Sequence, residues 1–208
     1  MESETRLAQI AAEIRQCKKC PLGSTRKNSV PGAGPISAEI MAIGEGPGHH
    51  ENEQGLPFVG ASGKFLTLLF KDGGIPRETV FITNVVKCRP PGNRDPKPSE
   101  LEACSMYLEQ QIEAINPVVI ITLGRFSMAR YFKNVRISKI HGEASWRDGR
   151  LIVPMYHPAA ALHQPKLRPV IAHDFAQLND MIEQEKIRRT KKMSEEKGKD
   201  NASQLNLF

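Results

Sequence analysis

A chain of 208 residues is long enough for one domain with a full hydrophobic core, whereas two such domains would be tight. Its 39% hydrophobic and 25% charged residues are ordinary for a soluble globular protein, and the net charge of +6 mildly favours an anionic partner such as nucleic acid. No apolar run reaches the roughly 18 residues of a membrane span. The amino-terminal segment lacks the apolar stretch of a secretory signal, so we expect a cytoplasmic protein.

Helical and strand patterns alternate along the chain. Helical spacing predicts helices over residues 5–16, 61–74, 99–115, 125–132 and 168–186. Short apolar or β-branched runs predict buried strands over residues 38–44, 79–86, 117–124 and 150–158. The pair Ser99 and Glu102 is a candidate cap for the third of these helices.

Four strands separated by helices predict an α/β domain, a three-layer α/β/α sandwich with a central four-stranded parallel sheet. The functional groups of such folds gather beyond the carboxyl ends of the strands. In this chain the strands are followed by the loops GEGPG, NVVKCRPPGN, LGRFS and MYHPAA, where we expect the chemistry.

The four cysteines form two separated pairs, Cys17 with Cys20 in a C-x2-C pattern and Cys88 with Cys104. In a cytoplasmic protein they are better explained as reduced ligands or core residues than as disulfides. Their surroundings are polar, whereas buried structural cysteine prefers apolar neighbours, and this favours a ligand role. Four thiolates can close a tetrahedral zinc site or hold a 4Fe–4S cluster, and spacing alone does not separate the two.

Two acidic residues and one aromatic residue follow the first predicted strand. Glu45 lies in GEGPG, whose glycines Gly44 and Gly46 allow a ligand to approach the backbone closely. Glu51 follows a few residues later, although a lone surface glutamate is most often merely solvated. Phe58 lies on a glycine-bounded loop, where an aromatic ring either plugs a small core or stacks on a planar ligand.

Asn84 and His157 follow two other predicted strands. The Asn84 amide either caps a turn or reads the edge of a ligand that has adjacent donor and acceptor groups. His157, in YHPAA, would be structural more often than catalytic if it stood alone. We expect both beside Glu45 and Phe58 at one edge of the sheet, and this meeting favours a functional site over separate structural roles.

Three segments, GEGPGHHENEQGLPFVGASG, TNVVKCRPPGNRDP and YHPAA, together with the cysteines, resemble the family 4 uracil-DNA glycosylases of bacteria and archaea. The resemblance covers residues 4–185, and its motifs agree in order and spacing. It implies a DNA repair enzyme that flips uracil out of the helix, hydrolyses its N-glycosidic bond and leaves an abasic site. It also implies that Cys17, Cys20, Cys88 and Cys104 hold a 4Fe–4S cluster.

The resemblance assigns a role to each matching site residue. Glu45 and Glu51 would position or activate the attacking water, and His157 would donate to uracil O2. Phe58 would stack on the flipped base, and Asn84 would hydrogen-bond the uracil edge and reject cytosine. The other matching positions of the substrate site are Gly44, Gly46 and Asn93.

Two departures from the family pattern bear on the chemistry. The superfamily's best-known members have Asp where this chain has Gly46, and family members often have Asp where it has Asn52. Base recognition is therefore better supported than the choice of the carboxylate that activates water. A related branch traps uracil DNA covalently through a histidine in the second loop, and the matching loop here contains none, so we expect turnover.

Two other functions fit part of the pattern. A non-catalytic protein could use the same pocket to bind uracil-containing or single-stranded DNA, but the pair Glu45 and Glu51 beside His157 favours the enzyme. A zinc-stabilised α/β interaction domain would be colourless, whereas a protein with an iron–sulfur cluster is brown.

We expect a glycosylase domain over residues 1–186 and a disordered basic tail over 187–203, whose charged composition offers little to bury. The last five residues, 204–208, resemble the bacterial sliding-clamp-binding pentapeptide. Its matching positions are Gln204, Leu205, Leu207 and Phe208. An apolar end that docks on its own domain is the alternative. The two resemblances together imply a monomeric, nucleoid-associated enzyme whose partners are uracil-containing DNA and a DNA sliding clamp.

Overall fold

The computed structural model describes the backbone of residues 2–205 and the side chains of residues 4–191. Its centre is a mixed sheet of five strands, with these bounds: β1 Ile40–Gly44, β2 Val80–Asn84, β3 Val119–Leu123, β4 Ser145–Arg147 and β5 Arg150–Met155. The order across the sheet is β2-β1-β3-β5-β4, with every pair parallel except β4 with β5. All residues of β1, β2 and β3 are buried, as their apolar runs predict.

The predicted α/β class is confirmed, and the four predicted strands are present and parallel as β2, β1, β3 and β5. The predicted count is wrong, because the sheet has a fifth strand, which is antiparallel. The strand that was missed, β4, has only three residues, and Trp146 and Arg147 within it are exposed. No apolar run therefore marks it in the sequence. It forms a hairpin with β5 at the edge of the sheet, where a short antiparallel strand needs no crossover helix.

Helices connect the strands and have these bounds: α1 Glu2–Gln16, α2 Leu22–Thr25, α3 His49–Gln54, α4 Ala61–Asp72, α5 Pro98–Ile115, α6 Arg125–Met128, α7 Ile137–Ile140, α8 Pro158–His163, α9 Arg168–Ala176 and α10 Leu178–Leu205. Across residues 2–205, none of them is long and apolar enough to cross a membrane. The first turn of α5 is capped by Glu100, whose carboxylate accepts the Lys97 N–H at 2.8 Å, and not by the predicted pair Ser99 and Glu102.

Helices cover both faces of the sheet. On one face, Phe70 of α4 and Phe175 of α9 pack in a core with Ile121 of β3. On the other face, Ile112 of α5 packs in a core with Ile120 of the same strand. Because neighbouring residues of a strand point to opposite faces, β3 contributes to both cores, which makes the predicted three layers.

The carboxyl-terminal segment differs from its prediction. Two helices, α9 and α10, replace the single helix predicted over 168–186, and α10 continues to Leu205. The backbone is helical across 187–203. The disordered basic tail that composition predicts over these residues stays a prediction, since Lys, Arg and Glu also form helices readily where they bury little surface.

The beginning of this segment is anchored to the β4–β5 hairpin. The Arg188 guanidinium lies 3.7 Å from the centroid of the Trp146 ring, and Arg189 donates to the Gly149 carbonyl at 3.0 Å. The predicted clamp-binding motif falls on 204–208. Residues 206–208 and all the side chains of the motif lie outside the part of the chain that the structure describes.

Candidate active site

A cleft of about 390 Å³ opens beyond the carboxyl ends of β1, β2 and β5. Its lining includes most of the residues predicted for catalysis and substrate binding: Glu45, Gly46, Glu51, Phe58, Asn84, Asn93 and His157. They belong to loops far apart in sequence, which meet because β1 pairs with β2 and, through β3, joins β5. The volume suits a small planar ligand held between side chains.

Gly44, the remaining predicted substrate residue, lies behind this lining. A Cβ atom at position 44 would lie 2.4 Å from Asn84 Oδ1 and 2.8 Å from the Phe58 ring. Glycine is required here so that the amide and the ring can approach the backbone of β1. A direct contact between Gly44 and a ligand stays a prediction.

The Asn84 side chain holds an unsatisfied acceptor beside the cleft. Asn84 is 1% exposed, and its Oδ1 atom has no hydrogen-bond partner within the described part of the chain. Its backbone carbonyl accepts a bond from Lys87 Nζ at 2.8 Å, which fixes the end of β2. Leaving a buried polar atom unpaired costs about 1–3 kcal/mol, so this acceptor indicates a donor on a ligand.

His157 is held as a neutral imidazole. Burial lowers its pKa to about 4, and the charge of Glu51 opposes the shift only in part. The Ala159 backbone N–H donates to His157 Nδ1 at 3.1 Å, so the proton of the neutral ring is on Nε2. The Phe58 ring stacks on the imidazole, with 5.5 Å between the centroids. His157 therefore brings a neutral N–H donor to the cleft.

Phe58 has an uncommon backbone conformation. Its φ angle is 52°, in the left-handed region, where a residue with a side chain is strained unless its surroundings hold it. The residue is 6% exposed, and its ring lies against both Gly44 and His157. The loop conformation thus directs an aromatic ring to the lining of the cleft.

The Glu51 carboxylate is bonded to the backbone of its own loop. Its Oε1 atom accepts the N–H groups of Val59 at 2.9 Å and Gly60 at 2.8 Å, and its Oε2 atom accepts that of Gly48 at 3.1 Å. Three of the roughly four lone-pair sites of this carboxylate are thus occupied, which leaves little acceptor capacity for water. This arrangement favours a positioning role for Glu51 over the predicted activation of water.

Glu45 has the environment of a general base. Burial raises the pKa of its carboxyl, the negative charge of Asp95 adds to the rise, and Arg125 opposes it. Arg125 comes from LGRFS, the loop after β3, and forms an ion pair with Asp95. No hydrogen bond from the described residues reaches the Glu45 carboxylate. A carboxylate with a raised pKa accepts a proton more readily, which suits proton transfer from water.

The loop after β2 forms another side of the cleft. Asn93 has a φ angle of 56°, and its Oδ1 atom accepts a bond from Arg89 at 2.8 Å. Arg94 makes two bonds to the buried Glu100 carboxylate, at 2.7 and 2.9 Å. This pairing lowers the pKa of Glu100 to about 2, so Glu100 keeps its charge and holds the loop to the first turn of α5.

All four cysteines line one small cavity between α1, α5 and the loop that begins at Lys87. Arg26 donates to Cys88 Sγ at 3.0 Å, and the Lys87 backbone N–H donates to Cys104 Sγ at 3.3 Å. Burial raises the pKa of Cys104 to about 11, so this thiol ionises at neutral pH only when a metal ion binds it.

The donor set of these four cysteines suits either a tetrahedral zinc ion or a 4Fe–4S cluster. As far as the described residues extend, no group of three or more His, Cys, Asp or Glu side chains is already arranged to hold a metal ion.

Sequence reasoning assigned no role to several residues that line the cleft: Pro47, Gly48, Ser62, Pro90, Arg94, Ala159, Ala160 and His163. Of these, only Ser62, Arg94 and His163 lie outside the four loops predicted to carry the chemistry. His163 ends α8, a helix whose opening His-Pro dipeptide is typical of a loop. Lys87 was also missed, although it is 1% exposed and donates to Thr83 Oγ1 at 2.6 Å and to Gln111 Oε1 at 2.7 Å. Nothing in the string NVVKC indicates that this lysine is buried.

Comparison with known proteins finds relatives that match most of this chain. Residues 31–181 match the family model described as the uracil DNA glycosylase superfamily. The type-4 uracil-DNA glycosylase of Saccharolobus solfataricus is 50% identical over 183 residues, which cover 83% of this chain and 85% of that protein. The type-4 uracil-DNA glycosylase of Thermotoga maritima is 40% identical over 191 residues, which cover 89% of this chain and 100% of that protein. The family match includes every loop that lines the cleft.

Proposed function

The chain belongs to the uracil DNA glycosylase superfamily and to its type-4 group, and from that premise we propose how its cleft excises uracil from DNA. The enzyme hydrolyses the N-glycosidic bond between uracil and deoxyribose and leaves an abasic site for repair. The observation that carries the assignment of the site is the buried, unpartnered Asn84 Oδ1 atom beside the Phe58 ring and the neutral His157.

Asn84 recognises the edge of the flipped base. Uracil has an N3–H donor next to its O4 acceptor, and the Asn84 amide offers an acceptor next to a donor in return. Cytosine has an N3 acceptor next to an N4 donor, so it would leave the buried Oδ1 atom facing another acceptor. The Phe58 ring stacks on the flipped base, which adds affinity only for a base that has entered the cleft.

His157 stabilises the leaving group. As the C1′–N1 bond breaks, its electron pair passes to uracil, and negative charge develops on N1 and O2. A neutral imidazole with its proton on Nε2 donates a hydrogen bond to O2 at that stage. Because the donor is already oriented by the Ala159 N–H, little reorganisation is needed when the charge appears.

Glu45 acts on the sugar side of the bond. Its carboxylate stabilises the positive charge of the oxocarbenium-like sugar and accepts a proton from the water that attacks C1′. A new C1′–O bond then replaces the C1′–N1 bond, and uracil leaves as an anion that solvent later protonates. Glu51 supports this chemistry indirectly, since it holds the loop that carries Phe58.

Excision of uracil from a synthetic oligonucleotide tests the function. We expect catalytic amounts of the protein to release uracil and leave alkali-labile abasic sites, with no release from matched oligonucleotides that contain thymine or cytosine. Binding of the uracil oligonucleotide without release, at any enzyme concentration, would instead support the non-catalytic binder.

We also propose that Cys17, Cys20, Cys88 and Cys104 hold a 4Fe–4S cluster. Their common cavity and the N–H donors aimed at two of the sulfur atoms support it. Base excision needs no electron transfer, so a cluster held by these cysteines would have a structural role. It would join the end of α1 to the loop after β2, whose far end lines the cleft.

A DNA sliding clamp is the proposed protein partner. Gln204, Leu205, Leu207 and Phe208 follow the pattern of a clamp-binding peptide, in which apolar side chains fill pockets on the clamp. The basic segment before them acts as a spacer. Such a contact would bring a monomeric enzyme to replicating DNA in the nucleoid.

A further inference from the structure

Two charged side chains hold the backbone on either side of Phe58. The Glu51 carboxylate accepts the N–H groups of Val59 and Gly60, the two residues that follow Phe58. Arg77 binds the carbonyl groups of Phe58 and of the residue before Phe58. Its Nη2 atom donates to Phe58 O at 3.0 Å and to Pro57 O at 3.2 Å. The peptide groups that surround the strained residue are thus held by an anion on one side and a cation on the other.

Arg77 also ties this segment to α4. Its Nη1 atom donates to Gly63 O at 3.2 Å and to Thr67 Oγ1 at 2.8 Å. At Gly63 the two segments approach so closely that a Cβ atom would lie 1.8 Å from Phe58 O. One guanidinium therefore fixes the Phe58 loop relative to the helix that follows it.

Arg77 acts on the cleft only through this loop. It begins a short turn, Arg77–Thr79, that leads into β2, and it is not among the residues that line the cleft. Its guanidinium is half-buried, and burial lowers its pKa from the usual value, yet an arginine side chain remains charged at any physiological pH. Arg77 is thus a half-buried cation that bonds to three backbone carbonyl groups outside the cleft, and these bonds indicate a role in holding the backbone.

We propose that Arg77 is a positioning residue for base recognition: it holds Phe58 in the left-handed conformation that directs its ring toward the flipped base. The inference rests on the proposed role of Phe58 as the stacking surface. Arginine suits the task because its planar fork donates to several acceptors at once, whereas a lysine ammonium is a single compact charge. A lysine at this position would keep the charge and lose most of the bonds.

The test compares Arg77→Lys with a matched control, Thr67→Val. The control removes the side-chain partner of Arg77 on α4 and leaves its bonds to Pro57 O and Phe58 O in place. The probe is an oligonucleotide whose uracil nucleotide carries a 2′-fluorine, which blocks cleavage, and affinity is measured against the same oligonucleotide with thymine. We expect Arg77→Lys to reduce the preference for uracil about 5- to 100-fold, the range for loss of base stacking, and Thr67→Val to leave it unchanged.

A double-mutant cycle with Phe58→Ala separates positioning from a general structural role. If Arg77 acts through the ring, Arg77→Lys causes no further loss of uracil preference once Phe58 is alanine. Equal losses in both backgrounds would overturn the proposal, as would a wild-type preference in Arg77→Lys, which would indicate that only the charge matters. Arg77→Gln is measured in parallel, and failure of both variants to fold would assign Arg77 to the stability of the whole domain and contradict the proposal.

The wild-type protein separates this proposal from the proposed function. Wild-type protein that neither prefers uracil nor cleaves the unmodified oligonucleotide would contradict the function itself. Wild-type protein that does both, together with an unaffected Arg77→Lys variant, would contradict only the role of Arg77.

Discussion

Single residues in the cleft differ in their hydrogen-bond partners and burial, and these differences indicate which role each could have. Glu51 and Glu45 are both carboxylates beside one pocket, yet the first is bonded to three backbone N–H groups and the second to none in the described part of the chain. His157 is neutral because it is buried. In the proposed mechanism, the Glu45 carboxylate must therefore be ionised and the His157 imidazole must be neutral.

This division predicts the pH dependence of the chemical step. Glu45 must be deprotonated to act as a base, and its pKa lies above the ordinary 4.5, so single-turnover excision should fall as the pH decreases through that raised pKa. His157 stays neutral down to about pH 4, so the profile should have no inflection near 6.5, the ordinary pKa of histidine. An inflection near 6.5 that disappears in His157→Gln would contradict a neutral donor.

Removal of His157 should slow bond cleavage without weakening DNA binding to the same extent. We expect His157→Ala to lower the single-turnover rate by about 10²-fold or more, the cost of losing one preorganised donor to a developing anion. His173→Ala is the matched control, because that histidine is exposed on α9 and bonds to Gln177. A wild-type rate in His157→Ala would mean that another group stabilises the leaving base.

Asn84→Ala should abolish discrimination between uracil and cytosine, and its effect on general DNA affinity should be smaller. The substitution removes the buried acceptor and donor pair, and the loss should be about 5- to 150-fold in kcat/KM for uracil. The control, Asn179→Ala, changes an amide on α10 that lines a different cavity. Unchanged discrimination in Asn84→Ala would transfer base recognition to another residue.

At the scale of elements, α1 depends on the cysteine cavity for part of its packing. Ile10 and Ile14 of α1 share a small core with Tyr107 of α5, and the cysteines adjoin it. The cluster would therefore act as a covalent staple between two helices and the loop after β2.

Loss of the cluster should destabilise this corner of the domain. We expect wild-type protein to be brown, with about four iron atoms per chain. Cys104→Ser should lose the colour and lower the melting temperature, because α1 and the loop after β2 lose their common ligand. A colourless variant that keeps full stability and full activity would refute the structural role, and equimolar zinc without iron in the wild type would refute the cluster itself.

The elements also differ in how well their sequence predicts them. The apolar run at 79–86 indicates β2, Val80–Asn84, because a strand buried on both faces needs apolar residues throughout. Short elements such as β4 and α8 carry no such pattern, since Trp146 and Arg147 are exposed and α8 opens with a His-Pro pair. Their positions follow from packing against a sheet that is already formed.

For the whole molecule, the proposed role of the basic carboxyl-terminal segment is to link the enzyme to a sliding clamp. Deletion of 204–208 should abolish retention on an immobilised sliding clamp, because the apolar side chains that fill the clamp pockets are removed. Excision from short oligonucleotides should be unchanged, since the cleft lies in the folded domain. Ser203→Ala, next to the motif, is the control. Retention of the truncated protein on the clamp would contradict the prediction, because another segment would then make the contact.

The sequence by itself determined which residues meet at the carboxyl edge of the sheet. Apolar runs specify the parallel strands, and the residues at their ends, Glu45, Asn84 and His157 among them, are then adjacent by the geometry of such a sheet. The motif resemblance to family 4 enzymes led to the same residues, and the comparisons confirm the family. These properties are local, since each depends on residue types within a short stretch.

Only the tertiary structure decided the burial and the hydrogen-bond partners of each of those residues. The bonds that occupy Glu51, the burial that keeps His157 neutral and the reach of Arg77 to Phe58, 19 residues away, depend on segments that meet after folding. Lys87 likewise bonds to Gln111, 24 residues away on α5. Burial and hydrogen bonding are properties of the assembled core. Neither the hydrophobic periodicity nor the composition of a segment specifies which distant residues it contacts after folding.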